Sequence, residues 1–397
     1  MTRPSLTVIA FTAWVGVAAV VCVKPLFKPV SGTVFVTYAT AGREFLAGEK
    51  LYDVPHPHTD NFRYSPLVAA GFAPLSLLPL GVGGALWRLG SIAVFVTGLV
   101  AWARRVCPEV PLAGLFLLAL PISLGSLNNG QANTLILGMM LWATVLAGRD
   151  RWALAALLVG SAALFKAYPL ALAGLFTLIA PVRFGLPLLG TIAAGLVLPY
   201  AFQSTEYVSA QYQFWFENVA RDDRTTRPLY SGYQDFHMLL RVVGIEIARS
   251  PYQLAQAGAG LAAAAVIVWL RVTGSDRRSV ETAAFTLGIC WMVMFAPAVE
   301  TSTFILLAPV MARELLDAVG RPRWAKACAL AGSGMFLIAM VALAFPHHIH
   351  RPVIATGVQP LGALLISVAA LGRIVTSRPA VPELRLAVPE PGRARAA

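Results

Sequence analysis

Two aspartates and an arginine in one polar segment have the side chains needed for acid–base chemistry on an alcohol and for anion binding. They are Asp53, Asp60 and Arg63. A carboxylate can take the proton from an attacking hydroxyl, and a guanidinium can hold a phosphate through two parallel hydrogen bonds. The structural alternative is that Asp53 caps a turn after Tyr52 and that Asp60 is a solvated loop charge.

A lysine between two apolar segments is the second candidate. Lys166 has apolar residues on both sides in the chain, where an ionisable group is costly and marks a functional site by default. Its charge suits a phosphate. The alternative is a lysine at a helix end whose ammonium reaches the membrane surface. Arg88 offers a comparable choice between binding an anion and anchoring its helix.

Polar side chains also occur in two predicted turns between apolar segments. Asn129 and Gln131 lie in the run Asn128–Asn133, and amides of this kind hydrogen-bond sugar hydroxyls or phosphate, or only satisfy the turn. Glu300 follows Pro297 at the end of another apolar segment. It can orient an acceptor or pair with an arginine.

No metal site and no cofactor are expected. His347, His348 and His350 have a suitable type for a metal, but no acidic partner is near them in the sequence. The four cysteines lack the C-x-x-C spacing of metal and redox motifs. The net charge of +12 is dispersed over many short segments and accompanies no nucleic-acid motif, so anionic membrane lipids are the predicted partners and nucleic acid is not.

The composition predicts a polytopic membrane protein of the all-α class. Of 397 residues, 57% are hydrophobic and 13% are charged, against about 25% charged in an ordinary soluble domain. Crossing a bilayer takes about 20 apolar residues, and we expect about ten to thirteen transmembrane helices. The predicted spans are Leu6–Val23, kept as an uncleaved anchor, and residues 84–103, 110–127, 132–147, 152–166, 168–181, 184–202, 254–272, 281–297, 302–316, 327–345 and 354–372.

The basic residues of the short loops predict the orientation, because lysine and arginine favour the cytoplasmic side. They fall on one side if the proline-rich stretch 65–80 is re-entrant or interfacial and does not span. Both termini are then cytoplasmic, although Lys24 and Lys28 count against this. We expect one transmembrane domain over 1–375 and a disordered cytoplasmic tail over 376–397, in a multi-pass protein of a bacterial inner membrane.

Two long loops, 24–64 and 203–253, then lie on the outer side. In the first, Tyr38, Ala41, Phe45 and Leu46 recur at helical spacing before Gly48, which predicts an amphipathic helix on the outer membrane face that ends at the glycine. In the second, aromatic residues from 207 to 216 predict an interfacial helix. The first loop is therefore expected to be a short structured cap.

Several ordered motifs resemble glycosyltransferase family 87, which includes polyprenyl-phosphate-mannose-dependent mannosyltransferases. They are Ala41-Gly-Arg-Glu-Phe-Leu-Ala-Gly-Glu-Lys-Leu-Tyr-Asp53, Phe62-Arg-Tyr-Ser-Pro-Leu67, Phe72-Ala-Pro-Leu-Ser-Leu-Leu-Pro79, Ala85-Leu-Trp-Arg-Leu89, Asn128-Asn-Gly-Gln-Ala-Asn-Thr-Leu135 and Phe165-Lys-Ala-Tyr-Pro-Leu170. The resemblance implies a type C glycosyltransferase-like fold and transfer of a hexose from a polyprenyl-phosphate donor to a glycan or glycolipid acceptor at the non-cytoplasmic face. It also implies an aspartate where this chain has Val34.

Three functions remain open on this basis. The first is a lipid-linked-sugar-dependent glycosyltransferase, with Asp53 or Asp60 as the base, Lys166 and Arg63 on the donor phosphate, and Asn129, Gln131 and Glu300 on the sugar or acceptor. The second is a transporter or flippase of lipid-linked sugars, which is expected to show inverted repeats. The third is a catalytically silent paralogue, because the side chain of Val34 cannot act as a base.

Overall fold

The computed structural model describes residues 5–30, 32–54, 60–221, 227–317, 321–343 and 345–376. Within these ranges the secondary structure is helical, without strands. The first half contains α1 (Leu6–Phe27), α2 (Thr33–Ala47), α3 (Pro66–Ser76), α4 (Leu80–Val106), α5 (Leu112–Asn129), α6 (Asn133–Ala147), α7 (Trp152–Phe165), α8 (Leu170–Ile179) and α9 (Pro181–Val197). The second half contains α10 (Thr205–Arg221), α11 (Phe236–Val242), α12 (Arg249–Val272), α13 (Arg277–Phe295), α14 (Ala308–Leu316), α15 (Arg323–Leu343), α16 (His347–Ala355) and α17 (Val358–Thr376). Two 3₁₀ helices, Leu198–Ala201 and Thr301–Leu307, follow α9 and precede α14.

The predicted all-α, multi-span architecture is confirmed. Seven helices in the described part of the chain are long and apolar enough to cross a membrane, and four shorter apolar helices of 10–17 residues accompany them. One predicted span, 302–316, is broken into a 3₁₀ helix and α14. Pro309 has no N–H to donate back to the preceding turn, so the α-helix can start only next to it.

Small residues let the central helices approach closely. A Cβ added at Gly98 of α4 would lie 2.9 Å from the carbonyl oxygen of Gly138 on α6, and one at Gly138 would lie 2.7 Å from the backbone nitrogen of Phe95. Membrane helix pairs gain their stability from such backbone approach, because lipid gives no hydrophobic drive for association. These contacts fix α6 beside α4, and so place the start of α6 within the bundle.

One end of the bundle collects ion pairs between helix termini and short turns. Arg277 donates to Asp150 at 3.0 Å, and Arg105, at the end of α4, pairs with Glu281 of α13 at 3.0 Å. The hydrogen bond from Arg277 lowers the pKa of the exposed Asp150 carboxyl, and the charge of Arg183 acts in the same direction. We call this the basic end. It is the side on which the sequence predicted the basic loops to meet.

Glu314 anchors the C-terminal helices at the same end. Its carboxylate is fully buried and accepts a hydrogen bond from Arg373 of α17 at 2.9 Å, while Arg321 binds its other oxygen. A buried carboxylate is tolerated only when it is paired in this way. The described chain therefore ends at the basic end, with α17 running towards it. It also starts there, because the far end of α1 packs on the first turn of α4 through Pro25 and Gly81, and α4 ends at the basic end.

Helix α3 does not cross the bundle. Ser65, before its first residue, donates to the carbonyl of Leu164 at the far end of α7. Gly81, after its last residues, packs against Pro25 at the far end of α1. Both ends of α3 therefore lie at the end opposite to the basic one, and its 11 residues cover only about 16 Å. The stretch 65–80 therefore does not cross the bundle, which is the condition under which the basic loops fall on one side.

The two long loops pack on each other at this opposite end. The predicted helix in the first loop is confirmed as α2, which ends at Gly48 in a left-handed conformation (φ 71°). Its apolar face packs on α3, while Leu46 is exposed. The predicted aromatic helix is confirmed as α10. Gln211 of α10 accepts from the Leu51 N–H at 3.1 Å, and Tyr207 donates to the Glu49 carbonyl at 2.7 Å.

Candidate functional site

Lys166 lies where α7 ends, at the end of the bundle opposite to the basic one. Its backbone N–H closes the last turn on Ala162, and its own backbone is extended (φ −143°, ψ 136°), so the side chain leaves the helix axis. The ammonium is half-buried and donates to the side-chain oxygen of Asn133 at 2.8 Å. Within the described residues it forms no ion pair.

Asn133, the first residue of α6, organises the groups around this lysine. Its side chain is fully buried. The amide oxygen accepts from Lys166 and, at 2.9 Å, from the hydroxyl of Tyr168, while the amide nitrogen donates to the carbonyl of Ser302 at 3.0 Å. One amide thus joins α6, the α7–α8 connection and the 3₁₀ helix before α14. Because an amide oxygen carries no net charge, it orients the ammonium without neutralising it.

Tyrosines form the wall beside the ammonium. Lys166 lies 5.9 Å from the ring centre of Tyr64 and 6.0 Å from that of Tyr168, within the range of cation–π attraction. The Tyr64 hydroxyl is 3.0 Å from that of Tyr38, and Tyr52 donates to the Tyr64 carbonyl at 2.7 Å. Burial raises the pKa of Tyr52, so this hydroxyl remains a donor. The first loop is therefore fixed against the lysine.

Two more cations bind the turn between α5 and α6. Arg88 donates to the Asn128 carbonyl at 3.0 Å, and Lys24 donates to the Asn128 side chain at 2.9 Å. The turn closes through Gly130, whose φ is +64° and which accepts from the Trp87 indole at 2.7 Å. Lys24, which counted against the predicted orientation, is thereby explained as a ligand of this turn.

The amide side chains of the run Asn128–Asn133 lie at two places, the turn between α5 and α6 and the surroundings of Lys166. Gln131 is buried and its side-chain oxygen has no hydrogen-bond partner among the described residues, as is also true of Arg88 Nε and Ser91 Oγ. All three residues line one small cavity beneath the turn. Asn129 is partly buried beside Gly32. The amide that reaches Lys166 is Asn133, which was noted in the sequence only as part of the cluster.

The two predicted aspartates occupy different surroundings. Asp53 is half exposed, has a positive φ of 57° and lies 3.8 Å from Arg221 at the end of α10. The backbone carbonyl of Asp60 accepts from the Thr37 hydroxyl of α2 at 3.3 Å. Arg63 contributes its carbonyl to the Trp215 indole at 3.1 Å, which ties the segment to α10.

Val34 is buried in the first turn of α2. Thr37 follows it at a spacing of three residues, and side chains at that spacing share one face of a helix at about 5–6 Å. Asp60 therefore lies about one helical turn from the position where the resemblance implies an aspartate. Asp53 has no contact of this kind in the described structure.

Glu300 begins the 3₁₀ helix that carries Ser302. Its backbone N–H donates to the Thr303 hydroxyl at 3.1 Å, and its side chain accepts from the Thr303 backbone, which forms a capping box. The preceding carbonyl, that of Val299, accepts from the Gln234 N–H at 2.8 Å. The carboxylate thus caps the 3₁₀ helix, two residues away from the Asn133 contact.

Asp235 is a buried carboxylate that follows Gln234, the residue bonded to the Val299 carbonyl. It caps α11 by accepting from the Met238 N–H at 3.1 Å. Burial raises its pKa to about 6, although hydrogen bonds from the Met238 backbone oppose the shift. A carboxyl that titrates near neutral pH can act as a general base. Asp235 lies in the second long loop, 203–253, and the sequence did not single it out.

Sequence patterns alone did not single out the tyrosines around Lys166. Tyr64 and Tyr168 occur in motifs of the resemblance, at Phe62–Leu67 and Phe165–Leu170, and this was the available signal. Tyr38 was taken for the apolar face of α2 only. Their meeting depends on α3 returning to the same end of the bundle, which no local pattern encodes.

The fold and this site describe a polytopic membrane protein with a cation and amide cluster at one end. The chain belongs to glycosyltransferase family 87, whose sequence model matches residues 62–297. The match includes Lys166, Arg63 and Asn133. Val34, Asp53 and Asp60 precede it, and Glu300 follows it.

The chain is similar to two curated relatives, both named polyprenol-phosphate-mannose-dependent alpha-(1-2)-phosphatidylinositol pentamannoside mannosyltransferase. The one from Mycobacterium tuberculosis (strain CDC 1551 / Oshkosh) is 25% identical over 308 residues, 74% of this chain and 66% of the relative. The one from Mycolicibacterium smegmatis is 25% identical over 279 residues, 68% and 63% of the two chains. The matches thus span somewhat less than two thirds of each relative. The crystal structure of ArnT from Cupriavidus metallidurans in the apo state aligns over 93% of this chain and 78% of that chain, with TM-score 0.40 and 16% identity.

Proposed function

We propose that this protein transfers a hexose from a polyprenyl-phosphate donor to a glycan or glycolipid acceptor at the non-cytoplasmic face of the membrane. Family membership supports glycosyl transfer, and the names of the two relatives support a polyprenyl-phosphate donor and mannose as the sugar. The observation that best supports the proposal is the set of contacts made by Lys166.

The surroundings of Lys166 suit a phosphate because its charge has no carboxylate partner in the described structure. Asn133 and the rings of Tyr64 and Tyr168 hold the ammonium in place, so little side-chain entropy is lost when an anion binds. As the glycosidic bond breaks, negative charge grows on the departing lipid phosphate. A preorganised cation stabilises that charge in the transition state.

Asp60 is the proposed proton acceptor for the attacking hydroxyl. Its segment lies along α2 through the contact with Thr37, about one turn from Val34. Asp53 is the alternative, with its position set by Arg221. Arg63, three residues after Asp60, is proposed to assist Lys166 at the phosphate, and Asn129, Gln131 and Glu300 to contact the sugar or acceptor.

The basic end is proposed to face the cytoplasm. Its arginines lie in short turns and at helix ends, which are the positions that follow the positive-inside rule. Lys166, the turn between α5 and α6, and the two packed loops then face the outside. The membrane is proposed to be a bacterial inner membrane. Of the predicted tail, 376–397, residues 377–397 lie outside the described residues.

Replacing Lys166 with methionine tests the phosphate assignment. The variant keeps the length and apolar bulk and removes the charge, so the fold is expected to survive while affinity for the donor falls about ten- to a hundredfold, the effect of losing one charge-assisted contact. Binding of a short-chain polyprenyl-phosphate mannose to the purified protein measures it. Lys50→Met is the matched control, because Lys50 is exposed in the first outer loop and also lies over an aromatic ring, 5.0 Å from the centre of Phe214. Equal affinity of the wild type and Lys166→Met would refute the assignment.

A catalytically silent paralogue is the second candidate, and burial of Val34 favours it. A valine in the first turn of α2 leaves that helix face without a carboxylate at this position. Such a protein would bind the donor through Lys166 without transferring the sugar. Transfer that appears only in Val34→Asp would establish this second function, and transfer by the wild type would exclude it.

A further inference from the structure

A cavity at the basic end contains three arginines that the proposed transfer does not use. It lies where α7, α8, α9, α12 and α13 meet, and its volume is about 580 Å³, within the range of ligand-binding pockets. Its charged lining consists of Arg183, Arg271, Arg277 and Asp150, with the indole of Trp152 beside them. We call it the arginine cavity.

Positive charge is in excess in this lining. Asp150 is the carboxylate in the lining, and it pairs with Arg183 at 3.1 Å and with Arg277 at 3.0 Å. Arg277 also binds the buried Glu281 at 2.7 Å, but that carboxylate is shared with Arg105. Arg271 donates to the carbonyl of Leu178 and has no carboxylate partner in the described structure. Because a guanidinium has five N–H donors, Arg183 and Arg271 retain donors for an anion.

An apolar surface continues from the arginine cavity along α8. This helix packs against α13 and lies between α9 and α12. Leu170, Gly174 and Leu178 repeat every fourth residue on its exposed face, and a Cβ at Gly174 would meet no atom within 4 Å. On α9, Val182 is 68% exposed and Leu186 63%. The side of the cavity towards the membrane is therefore open and apolar.

We propose that the arginine cavity binds the phosphate headgroup of an anionic phospholipid, with the acyl chains along the exposed face of α8. Guanidinium groups hold phosphate through paired hydrogen bonds, and tryptophan is favoured at the membrane surface. A soluble phosphate ester would satisfy the arginines equally. The apolar surface that starts at Ile179 and Val182, both in the cavity lining, favours the lipid.

Native mass spectrometry of the delipidated, full-length protein tests this. Phosphatidylglycerol and phosphatidylcholine with the same acyl chains are titrated in parallel, and one tightly retained phosphatidylglycerol is expected. In the double variant Arg183→Gln/Arg271→Gln, its affinity is expected to fall about tenfold or more, the effect of losing about 1.4 kcal/mol. Arg323→Gln is the matched control, because Arg323 is exposed at the start of α15, outside the cavity lining.

Three results would overturn the proposal. Equal affinities of the wild type for the two lipids would exclude recognition of the headgroup charge, and this comparison needs no variant. An equal loss in Arg323→Gln would show attraction by the whole basic end. Displacement of phosphatidylglycerol by glycerol 1-phosphate at matching concentration would identify a soluble phosphate ester as the ligand. None of these measurements involves sugar transfer, so they stand apart from the test of Lys166.

Discussion

Replacing Asn133 with leucine is expected to loosen the whole cation site while keeping its volume filled. Leucine has nearly the shape of asparagine but neither accepts nor donates a hydrogen bond. Three contacts disappear together: those with Lys166, with the Tyr168 hydroxyl and with the Ser302 carbonyl, at 2.8, 2.9 and 3.0 Å. The α6 start, the α7–α8 connection and the 3₁₀ helix before α14 then lose their common link.

The expected cost follows from the burial of each partner. Tyr168 is 6% exposed, so its hydroxyl remains buried without an acceptor, which costs about 1–3 kcal/mol. The Lys166 ammonium and the Ser302 carbonyl are each about half-buried and can reach water, so each adds about 1 kcal/mol. The sum is about 3–5 kcal/mol of unfolding free energy. The donor affinity should fall as well, because the ammonium is no longer held in one position.

Reversible unfolding in detergent, by titration of sodium dodecyl sulfate into mixed micelles, measures the first effect, and donor binding measures the second. Asn128→Leu is the matched control from the same turn: Asn128 is exposed and its side chain accepts one hydrogen bond, from Lys24 at 2.9 Å, so its loss should cost less than about 1 kcal/mol. If the two variants lose the same stability, or if Asn133→Leu binds donor like the wild type, the reasoning about Asn133 is wrong.

Three further outcomes are expected. Asp60→Asn should reduce sugar transfer by about 10²–10⁴-fold with donor binding spared, while Asp53→Asn keeps most activity in the same radiolabelled transfer assay; the reverse order would move the base to Asp53. Burial raises the pKa of Asp235 from 3.8 to about 6, so the folded state holds this proton more tightly than the unfolded chain does. The contribution of Asp235 to the free energy of unfolding is therefore full below about pH 4, and about 3 kcal/mol of it is lost as the pH rises through 6. Asp235→Asn, which keeps the helix cap, should flatten the melting temperature between pH 4 and 7, and an unchanged pH profile would contradict the assignment. Cysteines at the exposed positions Lys50 and Arg149 should react with an impermeant reagent from the outside and from the cytoplasm, respectively, and labelling of both from one side would refute the orientation.

Most of the bundle was predictable because membrane spans are specified locally. A run of apolar residues must form a helix in lipid, where every backbone group needs an internal partner, and predicted spans such as 132–147 and 152–166 agree with α6 and α7 within a few residues. The break at Pro309 was less visible, because a proline is compatible with the first turn of a helix. Helix α16 was not predicted, since histidines at its start and Pro352 within it interrupt the apolar sequence.

The site was predictable only in part, because its residues come from separated segments. Lys166 stood out as a cation in an apolar context, which one sequence reveals. Its partner Asn133 comes from another helix, and the run Asn128–Asn133 gives no reason to prefer one amide over another. The difference between Asp53 and Asp60 depends on the Thr37 contact, which requires the folded loop.

The buried carboxylate of Glu314 has a consequence for how the chain is assembled during synthesis. Arg321 follows it by seven residues, so this partner emerges from the ribosome almost at once. Arg373 lies 59 residues further on, in the last described helix. Until α17 has been inserted, one oxygen of a carboxylate destined for the interior lacks its arginine. Insertion of α17 therefore completes the pairing of Glu314, and a nascent chain that stops before Arg373 leaves one oxygen of this buried carboxylate without its partner.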